Sequence, residues 1–207
     1  MRVSIAPMWT ATEPNDIANC AARLIVEEGL DYGAAKRRAV HQLGLPARTR
    51  LPDNQVVEAA VREHIALFCA DTQPVELTAL RQLALAWMIR LAEFRPHLSG
   101  AVWQGTATRL NDVFLQLFCD DPKSAELALI NGGAHYTAGR TPGFRGEEVD
   151  VLSMSVRCPG LDEQVGVHLL IYDVDDLRGA LRPDSQGRKP RGDAAALRAL
   201  MTEPSLP

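Results

Sequence analysis

The chain has 207 residues and a net charge of −4, with 22 basic and 26 acidic side chains. This length suits one domain, or a small core domain with an extension, and a hydrophobic fraction of 46% is enough to bury a core. The acidic balance excludes a global basic field of the kind that binds nucleic acid without sequence preference.

The cysteine pattern and the hydropathy of the chain bear on its compartment. The four cysteines are spread out, with no CxxC pair and no zinc-type pairing with histidine, which favours reduced thiols. No apolar stretch approaches the roughly 18 residues that a membrane span needs. The first ten residues also lack the basic start and apolar run of a signal peptide. We therefore expect a cytoplasmic, bacterial-type protein without a membrane segment.

The first half of the chain has the apolar periodicity of helices. The predicted helices cover residues 16–28, 32–43, 53–70 and 75–94. Asp53 is placed to cap the third helix, and the fourth helix has the widest apolar face. The pattern predicts a helical N-terminal extension over residues 1–74.

After Pro96 the sequence changes to short apolar runs near glycines, which are typical of buried strands. The predicted strands cover residues 98–103, 112–119, 135–138, 149–156 and 165–172, with predicted helices over residues 122–130 and 194–201. A polar loop with two prolines and two glycines covers residues 182–193. The predicted class is α+β, with residues 75–207 forming a core that ends in a flexible C-terminal segment.

Residues 99–118, SGAVWQGTATRLNDVFLQLF, combine two glycines with an acidic residue at the start of a strand. Glycine lets the backbone approach a phosphate closely. Carboxylates two residues apart on a strand point to the same side, where they can share metal ions. Period-2 alternation places Asp112, Phe114 and Gln116 on one such side.

This segment resembles the DNA polymerase β-type nucleotidyltransferase superfamily in its minimal form. The signature of that superfamily has a Gly-Ser pair, a second glycine five residues after the first, and an Asp-x-Asp starting seven residues later. Here Gly100 and Gly105 are five residues apart, and Asp112 lies seven residues after Gly105. The resemblance covers residues 75–175 and implies a nucleotidyltransferase-like mixed β-sheet flanked by helices.

The chain departs from the signature at two positions. Ala101 stands where the signature has serine, and Phe114 stands where it has the second aspartate. An aromatic ring cannot ligate Mg²⁺, and a lone carboxylate rarely fixes two metal ions. The resemblance therefore implies a degenerate member that binds a nucleotide or another phosphate-bearing ligand, or acts as a non-catalytic module.

The third acidic position of the signature has two candidates in this chain. One alignment of the strands places it at Asp150, and another places it at His168. His168 is favoured because its strand has the more central apolar pattern. If the site is active, the resemblance implies that Asp112 and Asp150 are the catalytic residues and hold a single Mg²⁺.

The resemblance also implies a set of nucleotide-binding residues. Gly100 and Gly105 would approach the triphosphate, and the Thr106 hydroxyl would donate to a phosphate oxygen. Gln116 and His168, which project from the two central strands, complete this set.

Two other functions stay open. The pattern of short helices over residues 17–50 is typical of a helix-turn-helix. In this alternative the chain acts as a nucleic-acid-binding regulator. Its phosphate contacts would come from Lys36, Arg37, Arg38 and Arg48. The same charges are also typical of a solvated helix face. In the third alternative, the apolar face of residues 75–94 packs against another protein.

Overall fold

The computed structural model describes residues 14–184 and 187–202. It divides the chain into a first unit that ends at Ala70 and a second unit that begins at Asp71, shortly before the boundary predicted at residues 74 and 75. The predicted flexible C-terminal segment and part of the predicted loop over residues 182–193 lie outside the described residues.

The first unit consists of helices. They are α1 (Pro14–Glu28), α2 (Tyr32–Gln42) and α3 (Asn54–Phe68). Gly29 adopts a φ of 69° after α1, and the Asp31 carboxylate caps α2 by accepting from the backbone of Ala34. The three helices share one core, which includes Ile17, Leu24, Ala35, Val57 and Val61. Small residues at the contacts let the helices approach closely.

The second unit is mixed α and β. Its first part contains α4 (Gln73–Arg90), a 3₁₀ turn (Ala92–Phe94), β1 (His97–Ser99), α5 (Gly100–Gln104), β2 (Val113–Cys119) and α6 (Pro122–Asn131). Its second part contains β3 (Thr137–Pro142), β4 (Glu148–Cys158), β5 (Glu163–Asp173), a 3₁₀ turn (Val174–Asp176), α7 (Leu177–Ala180), β6 (Arg191–Gly192) and α8 (Ala194–Thr202). The α+β class predicted from the sequence is therefore confirmed.

The six strands form one mixed, open sheet in the order β3-β4-β5-β2-β1-β6. Strands β2 and β5 are parallel, and the other neighbours are antiparallel. In this register Phe114 lies opposite His168, and His168 lies opposite Ser153. Three neighbouring strands thus bring these side chains into one row.

The two faces of the sheet differ in what covers them. One face, which we call the helix face, carries Leu115 and Leu169 and packs against buried residues of α4, α6 and α8. The other, which we call the polar face, carries Phe114 and His168. Its far end is covered by a separate small cluster of Phe118, Val149, Tyr172, Ala180, Phe144 and Leu177. No helix within residues 14–184 and 187–202 is long and apolar enough to cross a bilayer.

The predicted strand over residues 98–103 is correct only for residues 98 and 99. The strand ends at Ser99, Gly100 turns the chain with a φ of 72°, and the next five residues form α5. Val102 and Trp103, which belong to this helix, are buried. A short apolar run does not distinguish a buried strand from a buried helix, and the positive φ of Gly100 decides the outcome here.

Candidate functional site

Asp112 directly precedes β2 and is held at the edge of the polar face. Its Oδ1 accepts a hydrogen bond of 2.9 Å from the backbone N–H of Gly166, and its Oδ2 lies 3.0 Å from Nε2 of His168. The hydrogen bond with His168, aided by that from Gly166, holds the pKa of Asp112 below its usual value, although burial opposes this shift. The carboxylate therefore stays charged while half of it is shielded from water.

Gly166 makes this approach possible. A Cβ at position 166 would lie 2.5 Å from Cγ of Asp112, a distance that real Cβ atoms do not show. The carboxylate thus occupies the volume where any other residue would carry its side chain. The glycine is required by this contact and not by a positive φ.

His168 links Asp112 to β4. Its Nδ1 lies 2.8 Å from Oγ of Ser153, and its ring stacks on Phe114 with a centroid separation of 4.8 Å and an interplanar angle of 21°. When Nε2 carries the proton and donates to Asp112, Nδ1 accepts from the Ser153 hydroxyl. Both ring nitrogens and one ring face of His168 are therefore engaged.

Ser153, His168 and Asp112 form a hydrogen-bonded series of a hydroxyl, a base and a carboxylate. A nucleophilic serine also needs hydrogen-bond donors where negative charge develops on the substrate. Ser153 lies in the middle of β4, whose backbone pairs with β3 on one side and β5 on the other. With its hydroxyl on Nδ1, Ser153 helps to fix the orientation of the His168 ring.

Asp150 is not brought to Asp112. It lies opposite Ile171 on the helix-face side of β4, and its Oδ1 is 3.3 Å from Nε of Arg140 on β3. Of the two alternatives for the third position, the structure places His168 beside Asp112. The residues present therefore do not fit a Mg²⁺ ion shared by Asp112 and Asp150. Among the described residues, no group of three or more His, Cys, Asp or Glu side chains could hold a metal ion.

The two predicted glycines have different surroundings. Gly100 lies beside the Phe114 ring, because a Cβ there would be 3.8 Å from Cδ2 of Phe114. A Cβ on Gly105 would instead meet Arg81 of α4. Thr106 is buried, and its hydroxyl has no hydrogen-bond partner in the described part of the chain. Gly100 thus adjoins the Asp112 site, whereas Gly105 faces α4 and the Thr106 hydroxyl is closed off from solvent.

Side chains of α4 hold the loop after α5 in place. Nε2 of the buried Gln73 donates to the carbonyls of Gly105 (3.1 Å) and Ala107 (2.9 Å). The Glu76 carboxylate accepts from the backbone N–H of Arg109 at 3.0 Å. The contacts of Gln73 and Glu76 with this loop could not be predicted from the sequence. A glutamine near a helix N-terminus carries no signal for a partner more than 30 positions away. The loop after α5 is therefore held in place by side chains of α4.

Besides Thr106, two polar side chains among the described residues of the second unit are buried with atoms that lack a hydrogen-bond partner. Gln116 is 6% exposed and Arg191 is 8% exposed. Oε1 of Gln116, and Nε and Nη1 of Arg191, have no hydrogen-bond partner within the described residues. Gln116 was predicted as a site residue from its side of β2. Arg191 was not, because it falls in the polar loop predicted over residues 182–193.

Two of the four predicted phosphate contacts of the first unit are engaged within that unit. Nζ of Lys36 donates to the Pro52 carbonyl (3.1 Å) and to Oδ1 of Asn54 (2.8 Å). Arg38 pairs with Glu28 at 2.8 Å. The remaining pair, Arg37 and Arg48, lines a cavity of about 420 Å³. The basic helix therefore presents fewer free cations than its sequence suggests.

Comparison with protein-family models, curated proteins and solved structures finds no match to this chain in any of the three.

Proposed function

We propose that the second unit is a nucleotidyltransferase-like module that binds a nucleotide without two-metal catalysis. One observation carries the proposal: the parallel register of β2 and β5 stacks Phe114 on His168, directly beside Asp112. The superfamily signature has carboxylates at the second and third positions. Here these positions hold an aromatic ring and an imidazole, so a single carboxylate remains.

The order of elements around Asp112 supports the resemblance. Strand β1 leads through Gly100 into α5, and β2 follows with Asp112 at its start. Helix α4 precedes this group and α6 follows it. The glycine lies beside the side chain at the second signature position, Phe114. The helix before the glycine loop and the helix after the acidic strand are the two helices that the resemblance implies around this segment.

The aromatic pair supplies a surface for a base. Phe114 is 40% exposed although it lies in a central strand, and His168 backs its ring. Stacking of a base on an aromatic side chain contributes about 1–3 kcal/mol. The half-exposed carboxylate of Asp112 can accept a hydrogen bond from a ligand hydroxyl or amino group at the edge of this surface.

Nucleotide binding to the full chain tests the proposal. We expect ATP, GTP, CTP or UTP to bind in calorimetric titrations, and to bind equally well with EDTA or with Mg²⁺. Phe114→Leu removes the ring and should weaken binding at least fivefold, the low end of the stacking range. Phe68→Leu is the matched control, because Phe68 is an exposed phenylalanine that packs against His64 in the first unit. Binding that requires Mg²⁺, or that ignores Phe114→Leu, would refute the proposal.

A gain of metal binding tests the nucleotidyltransferase part separately. The double substitution Phe114→Asp with His168→Asp should place three carboxylates together, and we expect it to bind Mn²⁺ in electron paramagnetic resonance titrations. Phe114→Asp alone serves as the control and should bind Mn²⁺ more weakly, since it supplies only two carboxylates. A folded double variant that ignores Mn²⁺ would contradict the resemblance.

A further inference from the structure

Arg191 is a buried cation without a hydrogen-bonded anionic partner. It belongs to the two-residue edge strand β6, and its side chain lies against the ring of Phe144, with Cζ 4.6 Å from the ring centroid. Nε and Nη1 make no hydrogen bond, and no carboxylate among the described residues forms an ion pair with it. A guanidinium stays charged in proteins, and buried charges are as a rule paired. Such a group calls for an explanation.

The backbone that carries Arg191 is firmly held. The indole Nε1 of Trp103 donates to the carbonyl of Lys189 at 2.8 Å, and a Cβ on Gly192 would collide with the Trp103 ring. Arg191 therefore lies between two residues that are fixed against α5. Its burial is a built feature of the fold, and its side chain does not owe its position to a chance loop conformation.

The geometry of the guanidinium leaves its donors available. Stacking on Phe144 occupies one face of the planar group, whereas the N–H bonds point outward in its plane. Gln116 projects from the same polar face and carries an acceptor, Oε1, that is also without a partner. Nδ1 of the neighbouring His97 does not serve as a partner for this oxygen, because it lies 2.8 Å from the Arg95 carbonyl. The buried groups without partners are thus the guanidinium N–H donors of Arg191 and the amide oxygen of Gln116.

Further cations lie near Phe144. Cζ of Arg145 is 5.6 Å from the same ring centroid. A cavity of about 490 Å³ is lined by Phe144, Arg145, Asp175, Arg178, Gly179 and Arg182. Asp176 pairs with Arg145 and partly offsets its charge. Asp175 also lines this cavity, so acidic and basic side chains are mixed at this end of the sheet.

We propose that Arg191 anchors a second site, which binds a phosphoryl oxyanion through the guanidinium fork, with Gln116 accepting from a hydroxyl of the ligand. Arg recognises phosphate through two parallel N–H donors, which a lysine cannot supply. Gln116 is two residues along β2 from Phe114, and Ser99 pairs with both Phe114 and Arg191, so the two sites are neighbours on the polar face. The proposal does not depend on nucleotide binding at Phe114.

Inorganic phosphate and pyrophosphate are the probes, applied to the full chain in calorimetry and thermal unfolding. We expect both to bind and to raise the Tm. Arg191→Met should lose this binding while the ligand-free protein melts at the same or a higher Tm, because an unpaired buried charge is replaced by an apolar side chain. Arg191→Lys should bind at least tenfold more weakly than the wild type. Arg157→Met is the matched control, since Arg157 lies on β4 and pairs with Asp162.

Each alternative result overturns the proposal. A wild-type protein that ignores both probes has no such site. If Arg191→Met binds phosphate as before, the ion is held elsewhere. If that variant does not fold, Gln116→Leu replaces it, and unchanged phosphate affinity in that variant ends the proposal. The Phe114→Leu variant should keep phosphate binding, and Arg191→Met should keep binding of adenosine, which has no phosphate. Joint loss of both ligands in both variants would mean one site and refute the second.

Discussion

Gly166→Ala should destabilise the protein through Asp112. The strand conformation of residue 166 suits alanine, and replacing a strand glycine without a clash raises the free energy of unfolding by about 0.4–1 kcal/mol. Here the new Cβ would lie 2.5 Å from Cγ of Asp112, so the carboxylate must move away. It then gives up the hydrogen bonds with the Gly166 N–H and with His168.

The size of the expected change in the free energy of unfolding follows from these contacts. A hydrogen bond to a charged group contributes about 1.5–3 kcal/mol when buried. The Asp112 side chain is 47% exposed, so water replaces part of what is lost, and the surviving loss is about 1–2 kcal/mol. After the gain from alanine is subtracted, we expect the free energy of unfolding to fall by about 1 kcal/mol.

Urea unfolding of a double-mutant cycle measures this effect. In an Asp112→Ala background the clash is absent, so Gly166→Ala should become neutral or stabilising. Gly139→Ala on β3 is the control, because a Cβ there would meet Val151 at an ordinary 3.6 Å. An equal loss from Gly166→Ala in both backgrounds would show that the carboxylate is not what the methyl group displaces, and the reasoning would fail.

Three further outcomes are expected. The pKa of Asp112 is lowered in the folded protein, so its contribution to stability is present above its unfolded pKa of about 3.9 and is lost as pH falls through the folded value. In urea unfolding between pH 2 and 7, the free energy of unfolding of Asp112→Asn should therefore fall less with acid than that of the wild type. Burial raises the pKa of the Cys119 thiol to about 11, so neither Cys119 nor the buried Cys158 should react with Ellman's reagent at pH 8 until the protein unfolds. Gln73→Ala should lower the free energy of unfolding by about 1–3 kcal/mol, measured in urea, because two carbonyls of the loop after α5 lose their donor.

The central strands were predictable because their signal is local. The nearly continuous apolar runs of β2 and β5 indicate strands buried on both sides. Period 2 then assigns Asp112 and Phe114 to one side of β2, which agrees with their shared contact with His168. The central place of β5, which carries His168, followed from the same apolar pattern.

What the sequence could not predict depends on long-range pairing. The side of β4 on which Asp150 lies, and its distance from Asp112, follow from how β4 pairs with β5. Strand β6 has two residues and no periodicity, so Arg191 could not be distinguished from a solvated loop residue. Helix α5 was missed because its five residues read as an apolar run, and only the φ of Gly100 separates the two structures.

The topology of the sheet also sets the order in which the Asp112 site can assemble during folding. The Ser153–His168 hydrogen bond joins residues 15 positions apart in one antiparallel pair, whereas the Asp112–His168 bond joins residues 56 positions apart. The second needs β2 to dock in parallel against β5, after closure of a much longer loop. Protection of the Gly166 amide, which donates to Asp112, therefore reports docking of β2 against β5 and not formation of the local hairpin.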